Sequence, residues 1–230
     1  MLRWLQRALW DQVPRDHRDS PAVLRRRQWV TGLVVVIGGI VLGLSLRTEP
    51  GSPEFYLGSL GLSAVWAVGA LASGPLHLGR ILHPEREPIR PVVEPIVLGL
   101  ALAGLFVVGG LMVREIPLLA GQVDSVVDYA DRGALPLLVL ITAVTGAAEE
   151  LFFRGAAYAA VPRYPVLVTT ALYTLATYAT GNVMLTFAAA LLGLLVGLER
   201  RASGGILGPI LTHVTWSLSM LLVLPLIFSP

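Results

Sequence analysis

Cysteine and lysine are both absent from this chain of 230 residues. Without cysteine there is no disulfide framework, no thiolate metal site and no thiol nucleophile. Without lysine, all 17 basic residues are arginine, and Schiff-base and lysine general-base chemistry are excluded. Charge is scarce as well. Only 14% of residues are charged against 55% hydrophobic, and the mean hydropathy is +0.73, whereas soluble domains run at about a quarter charged. A formal net charge of +2 is too small for the electrostatic footprint of a nucleic-acid binder. What is present in quantity is glycine (24) and proline (16) without a short period, which excludes collagen and suits closely packed transmembrane helices. The class these numbers define is an all-α, polytopic membrane protein.

A helix crossing roughly 30 Å of hydrocarbon needs about 20 mostly apolar residues. Seven stretches approach that length: Val30–Leu46, Phe55–Ala72, Pro95–Val113, Ala134–Ala148, Val166–Ala179, Val183–Leu198 and Ile206–Phe228. The fourth, fifth and sixth are short, as spans shielded by neighbouring helices can be. The first begins late, is long and lacks a small-residue cleavage site after it, so it does not read as an ordinary signal peptide.

Threading seven crossings puts 14 of the 17 arginines on one side. Arg3, Arg7, Arg15, Arg18, Arg25, Arg26 and Arg27 precede the first span, and Arg80, Arg86, Arg90, Arg154, Arg163, Arg200 and Arg201 follow on the same side. Arg47, Arg114 and Arg132 lie opposite, where the segment Arg114–Arg132 also carries Glu115, Asp124, Asp128 and Asp131. The positive-inside rule then expects a cytoplasmic N-terminus and an outer C-terminus in the inner or plasma membrane. In Leu2–Trp10, apolar Leu2, Trp4, Leu5, Leu9 and Trp10 alternate with Arg3 and Arg7. The segment reads either as an amphipathic helix on the cytoplasmic leaflet or as a basic tail that only sets topology. Pro84, Pro88, Pro91 and Pro95 make the loop from His83 to Pro95 a stiff connector.

Most charges fall in loops, but Glu149, Glu150 and Arg154 interrupt the apolar run TAVTGAAEELFFRGAAYAAV at the end of the fourth span. An acid at mid-membrane costs about 2.5–3.5 kcal/mol on insertion scales. Adjacent glutamates point about 100° apart around a helix, while Glu150 and Arg154 have the i, i+4 spacing and the order of a favourable ion pair. One reading is a helix that ends at the interface with this pair in water. The other makes Glu149 or Glu150 a general base, metal ligand or proton carrier. His213 is a second anomaly, inside the last span among Thr212, Thr215, Ser217 and Ser219. It is either a hydrogen-bonded structural histidine or the partner of the glutamates in holding and deprotonating a water. His17, His77 and His83 read as solvated or interfacial.

The stretch GAAEELFFRGAAYAAV, followed by GNVMLTFAAALLGLLVGLERRASGGILGPILTHVTWSL, resembles the CPBP family of CAAX-protease and bacteriocin-processing (Abi-type) intramembrane peptidases over roughly Leu135–Met220. Glu149, Glu150 and Arg154 match its EExxxR signature and His213 matches the histidine of its last motif. The resemblance implies a helical fold around a cavity open to the cytoplasmic side, and cleavage of membrane-associated or lipidated peptides by water that the glutamates activate. It divides the chain into a basic N-terminal segment (1–29), three spans with their loops (30–133) and a CPBP-like peptidase domain (134–228). Two positions depart from the pattern. The FxxxH motif reads Tyr173 through Thr177, so a threonine stands in the histidine's place, and the final asparagine is Ser217. Threonine does not titrate near neutral pH and cannot replace imidazole in proton transfer.

The catalytic candidates are therefore Glu149, Glu150 and His213, supported by Arg154, Tyr173, Thr177 and Ser217. No cofactor is expected. Nor is a tightly bound metal, since catalytic zinc usually has three protein ligands and neighbours on one helix rarely share an ion. The expected partners are the bilayer and a membrane protein or lipidated peptide, as substrate or as companion. The chain is then either a working endopeptidase or an inactive relative (a pseudoprotease) that serves as a scaffold or subunit of a membrane complex. A proton-coupled transporter would call for inverted repeats and paired broken helices, which the hydropathy lacks.

Overall fold

The computed structural model describes residues 2–14, 19–45, 47–83 and 87–228. Arg15, His17, Arg18, Pro84, Arg86 and the Leu46 limit of the first expected span lie outside the described residues. Among the described residues there are nine helices: α1 Leu2–Leu9, α2 Pro21–Ser45, α3 Pro53–Ser73, α4 Val93–Val113, α5 Pro117–Arg132, α6 Leu135–Ala160, α7 Pro165–Tyr178, α8 Val183–Ser203 and α9 Leu207–Phe228. Six of them, α2, α3, α4, α6, α8 and α9, are long and apolar enough to cross a bilayer. The protein is an all-helical polytopic membrane protein.

Local chemistry starts these helices where the sequence places caps. The Ser52 hydroxyl accepts from the Phe55 amide at 3.2 Å, with Pro53 in the first turn of α3. Asn182 accepts from Leu185 N at 2.9 Å to open α8, which ends at Gly204 with φ +71°, the left-handed conformation that glycine adopts freely. Tyr164 (φ 53°) and Pro165 turn the chain into α7.

Three expectations need correction. The fifth expected span is α7, whose 14 residues rise only about 21 Å, so seven expected spans become six full-length helices and a shorter one packed mainly on α8. The acidic segment after α4, read as a loop, contains helix α5, which buries Val123 and Val127. The fourth span does not stop at Ala148. It passes through a π-helical stretch, Leu151–Ala157, and continues to Ala160. The helix persists because Phe152, Phe153, Ala156 and Ala157 are wholly buried there, which rewards continuation, and because the charges of Glu150 and Arg154 neutralise each other in place.

Those phenylalanines form the centre of the core with Trp66, Tyr173, Leu192 and Val196. The Trp66 and Phe152 rings stack at 4.9 Å. The Trp66 indole lies against Gly38 of α2, where an added Cβ would come within 2.1 Å of the ring. Glycine thus sets how closely α2 and α3 approach.

At the arginine-rich end, backbone pairing ties a loop to a helix–helix turn. The segment after α3 pairs with the α8–α9 turn through Arg80 N to Ser203 O (2.9 Å), Ile206 N to His77 O (2.9 Å) and Leu207 N to Leu78 O (3.1 Å), and Ile81 bridges Ile89. Helix α1 is docked on α8 rather than standing free: Ala8 is buried, Arg201 donates to Leu9 O at 3.4 Å and its guanidinium lies 5.3 Å over the Trp10 ring.

Candidate functional site

Because α6 runs on to Ala160, Glu149 and Glu150 stand at mid-helix, not at an interface. Glu150 and Arg154 lie one turn apart in the stretch where α6 becomes π-helical, a local widening of the helix that is frequent at functional sites. Helix α9 brings His213 in from the opposite wall. Gly146 of α6 gives the imidazole room, since a Cβ there would lie 3.4 Å from His213 Cδ2.

The two glutamates meet the two nitrogens of one ring. Glu150 Oε1 is 2.8 Å from His213 Nδ1, and Glu149 Oε2 is 3.9 Å from His213 Nε2. Glu150 Oε1 also accepts from Arg154 Nη1 at 3.0 Å, and both of these side chains are fully enclosed. Arg154 spends its second arm on the Gly193 carbonyl at 3.0 Å and lies 4.9 Å over the Tyr173 ring. The Arg200 guanidinium in turn donates to the Arg154 carbonyl at 2.6 Å. The reading of Glu150 and Arg154 as a water-exposed pair at a helix end is thereby replaced by a buried one.

Tyr173 joins from α7. Its hydroxyl donates to Glu149 Oε2 at 2.7 Å. Glu149 Oε1 has no hydrogen bond, and the Glu149 side chain keeps 11% exposure where Glu150 keeps none. Of the two acids, Glu149 is the one with room for a small molecule beside it.

Thr177 and Ser217 stand apart from this cluster. The Thr177 hydroxyl donates to Tyr173 O on its own helix at 3.0 Å. Ser217 lines a cavity one turn further along α9. Among the described residues no group of three or more His, Cys, Asp or Glu side chains has the placement to hold a metal ion. The large cavity lies beyond Trp216, and Glu149, Glu150 and His213 are not among its lining residues.

One buried acid escapes sequence reasoning. Glu199 of α8 is 2% exposed. Its Oε1 accepts from Thr212 Oγ1 at 2.9 Å and its Oε2 has no partner. The only signal was an acid just inside an apolar run, and the adjoining Arg200 and Arg201 made it look interfacial.

A bundle of helices long enough to span a bilayer, with a buried carboxylate–imidazole–guanidinium cluster between them, defines the class: a polytopic membrane protein with a buried polar centre. Residues 131–219 match the family model of type II CAAX prenyl endopeptidase Rce1-like proteins, and this match supports the resemblance of that segment to the CPBP family. Comparison with curated proteins and with solved structures gives no significant match.

Proposed function

We propose that this protein is an intramembrane endopeptidase that hydrolyses membrane-associated or lipidated peptides, with Glu149 as general base. The reading is carried by one arrangement: Glu149 Oε2 and His213 Nε2 face each other at 3.9 Å while Glu150 holds Nδ1 at 2.8 Å. With its Nδ1–H donated to Glu150, the imidazole presents the Nε2 lone pair toward Glu149. A water entering there donates one hydrogen to His213 Nε2 and the other to Glu149, which leaves its oxygen lone pair free for a peptide carbonyl. Glu149 takes the proton as the C–O bond forms and returns it to the amine nitrogen as the C–N bond breaks. Glu150, committed to Arg154 and His213, orients the ring. Tyr173 orients Glu149.

The test is hydrolysis of a quenched fluorescent prenylated CAAX-type peptide in proteoliposomes. Glu149→Gln should lower kcat by about 10²–10⁴-fold, the usual worth of a general base, with an unchanged melting temperature. A wild-type rate retained in Glu149→Gln sinks this mechanism. One observation favours a second reading, a catalytically silent scaffold or subunit: the position that would carry another imidazole holds Thr177, and its hydroxyl is spent on its own backbone. That reading expects no turnover by the wild type and a partner membrane protein that co-purifies with both wild type and Glu149→Gln.

A further inference from the structure

A cavity of about 700 Å³ lies mainly between α4, α5, α8 and α9, with Phe55 of α3 and Leu138 and Thr142 of α6 also in its wall, within the size range of ligand sites, roughly 300–1,000 Å³. Glu149, Glu150 and His213 are not among its lining residues. Its inner end is aromatic, made by Phe106, Phe187 and Trp216, and Leu224 and Phe228 continue the apolar wall toward the opposite end of the bundle from the arginine-rich loops.

Three of these four main helices are long and apolar enough to span a bilayer, which puts hydrocarbon within reach of the cavity. Walls of this kind give water few hydrogen-bond partners, and a void of this size forfeits the dispersion contacts of everything that lines it. A hydrocarbon chain meets both conditions. The fourth helix, α5, makes the rim. It turns Val123 and Val127 inward and leaves Leu118 of its first turn 80% exposed, the habit of a helix lying in a membrane interface. Asp128 lines the cavity and pairs with Arg132 at 3.6 Å, Glu115 pairs with Arg114 at 3.0 Å, and with Asp124 and Asp131 the segment from Arg114 to Arg132 keeps an excess of two acids. Such a rim attracts an ammonium group and repels a head group of net negative charge.

We propose that this cavity binds an acyl chain of a bilayer phospholipid with an ammonium-bearing head group, of the phosphatidylethanolamine kind, seated at the acidic rim formed by α5. The chain passes between α4 and α8 and ends on Trp216, whose ring centroid is 6.3 Å from that of His213. The lipid thus supports the wall that carries the histidine. The proposal stands whether or not the cluster hydrolyses peptides.

Gly109 lines the cavity, and a Cβ added there would meet no heavy atom within 4 Å, so Gly109→Phe fills the space without a backbone clash. The protein is reconstituted with equal phosphatidylethanolamine and phosphatidylglycerol, released into mild detergent and weighed intact by native mass spectrometry. The wild type should retain phosphatidylethanolamine in preference to phosphatidylglycerol, and Gly109→Phe should lose that adduct. No retained lipid in the wild type, equal retention of the two lipids, or equal retention in wild type and variant would overturn the proposal. The wild type is also photolabelled with phosphatidylethanolamine carrying a diazirine at its acyl end, a readout that does not depend on the variant folding. Label on peptides containing Phe106, Phe187 or Trp216 supports the site, and label confined to other peptides rejects it.

Discussion

Among single residues, Arg154 bears the heaviest electrostatic duty. It neutralises Glu150, holds the Gly193 carbonyl and covers the Tyr173 ring, with no exposure to solvent. Removing one partner of a buried ion pair strands the other charge, at a cost of about 3–5 kcal/mol. Arg154→Met should therefore destabilise the protein more than the double change Glu150→Gln with Arg154→Met, and thermal unfolding in detergent checks the order. Tyr173 offers a finer test. Its ring is part of the core and only its hydroxyl reaches Glu149. Tyr173→Phe should keep the fold and, under the peptidase reading, reduce kcat less than Glu149→Gln does. An equal loss would make the phenol a direct participant instead of a positioning group. The sequence exposed these charges as misplaced, because their cost in a membrane is a property of residue type. It did not expose Glu199, because burial of an acid beside arginines depends on which helix covers it.

At the scale of elements, the fit between α2 and α3 depends on glycine. A side chain at Gly38 collides with Trp66, whereas one at the adjacent Gly39 meets nothing within 4 Å. Gly38→Val should lower the melting temperature markedly and broaden the elution profile, while Gly39→Val should leave both near wild type. Equal behaviour of the two variants would mean that the α2–α3 packing described here does not limit stability. Helix existence was legible for every expected span, since each coincides with a helix. Helix ends were less so. Two glutamates look like a terminus in the sequence, and only the packing of Phe152 and Phe153 beneath Trp66 and Tyr173 carries α6 past them. The amphipathic α5 was hidden, and the shortness of α7 as a crossing was not recognised, because each leans on neighbours for what its own composition or length lacks.

For the whole molecule, the positive-inside rule applied to the arginines predicts that the end bearing Glu87 faces the cytoplasm and that α5 faces outward. The absence of cysteine makes this easy to measure. Glu87 and Asp124 are both exposed. In intact cells an impermeant maleimide should label Asp124→Cys and reach Glu87→Cys only after lysis; the reverse pattern would invert the topology. The arginine-rich end is also tied together by backbone pairing. There Gly205 sits so close to Gly79 that a Cβ would lie 2.0 Å from its amide nitrogen. The large cavity lies toward the other end.

Composition alone determined that this is a helical membrane protein, because the cost of transferring each residue into hydrocarbon is local and adds along the chain. Spacing alone determined the pairing of Glu150 with Arg154 and the family resemblance of the segment around them. The tertiary structure decided that both glutamates converge on the two nitrogens of His213, that Thr177 turns away and that Tyr173 takes its place beside Glu149. Those outcomes depend on how α6, α7 and α9 rotate and cross once their side chains interlock, and no window of sequence along one helix contains that information.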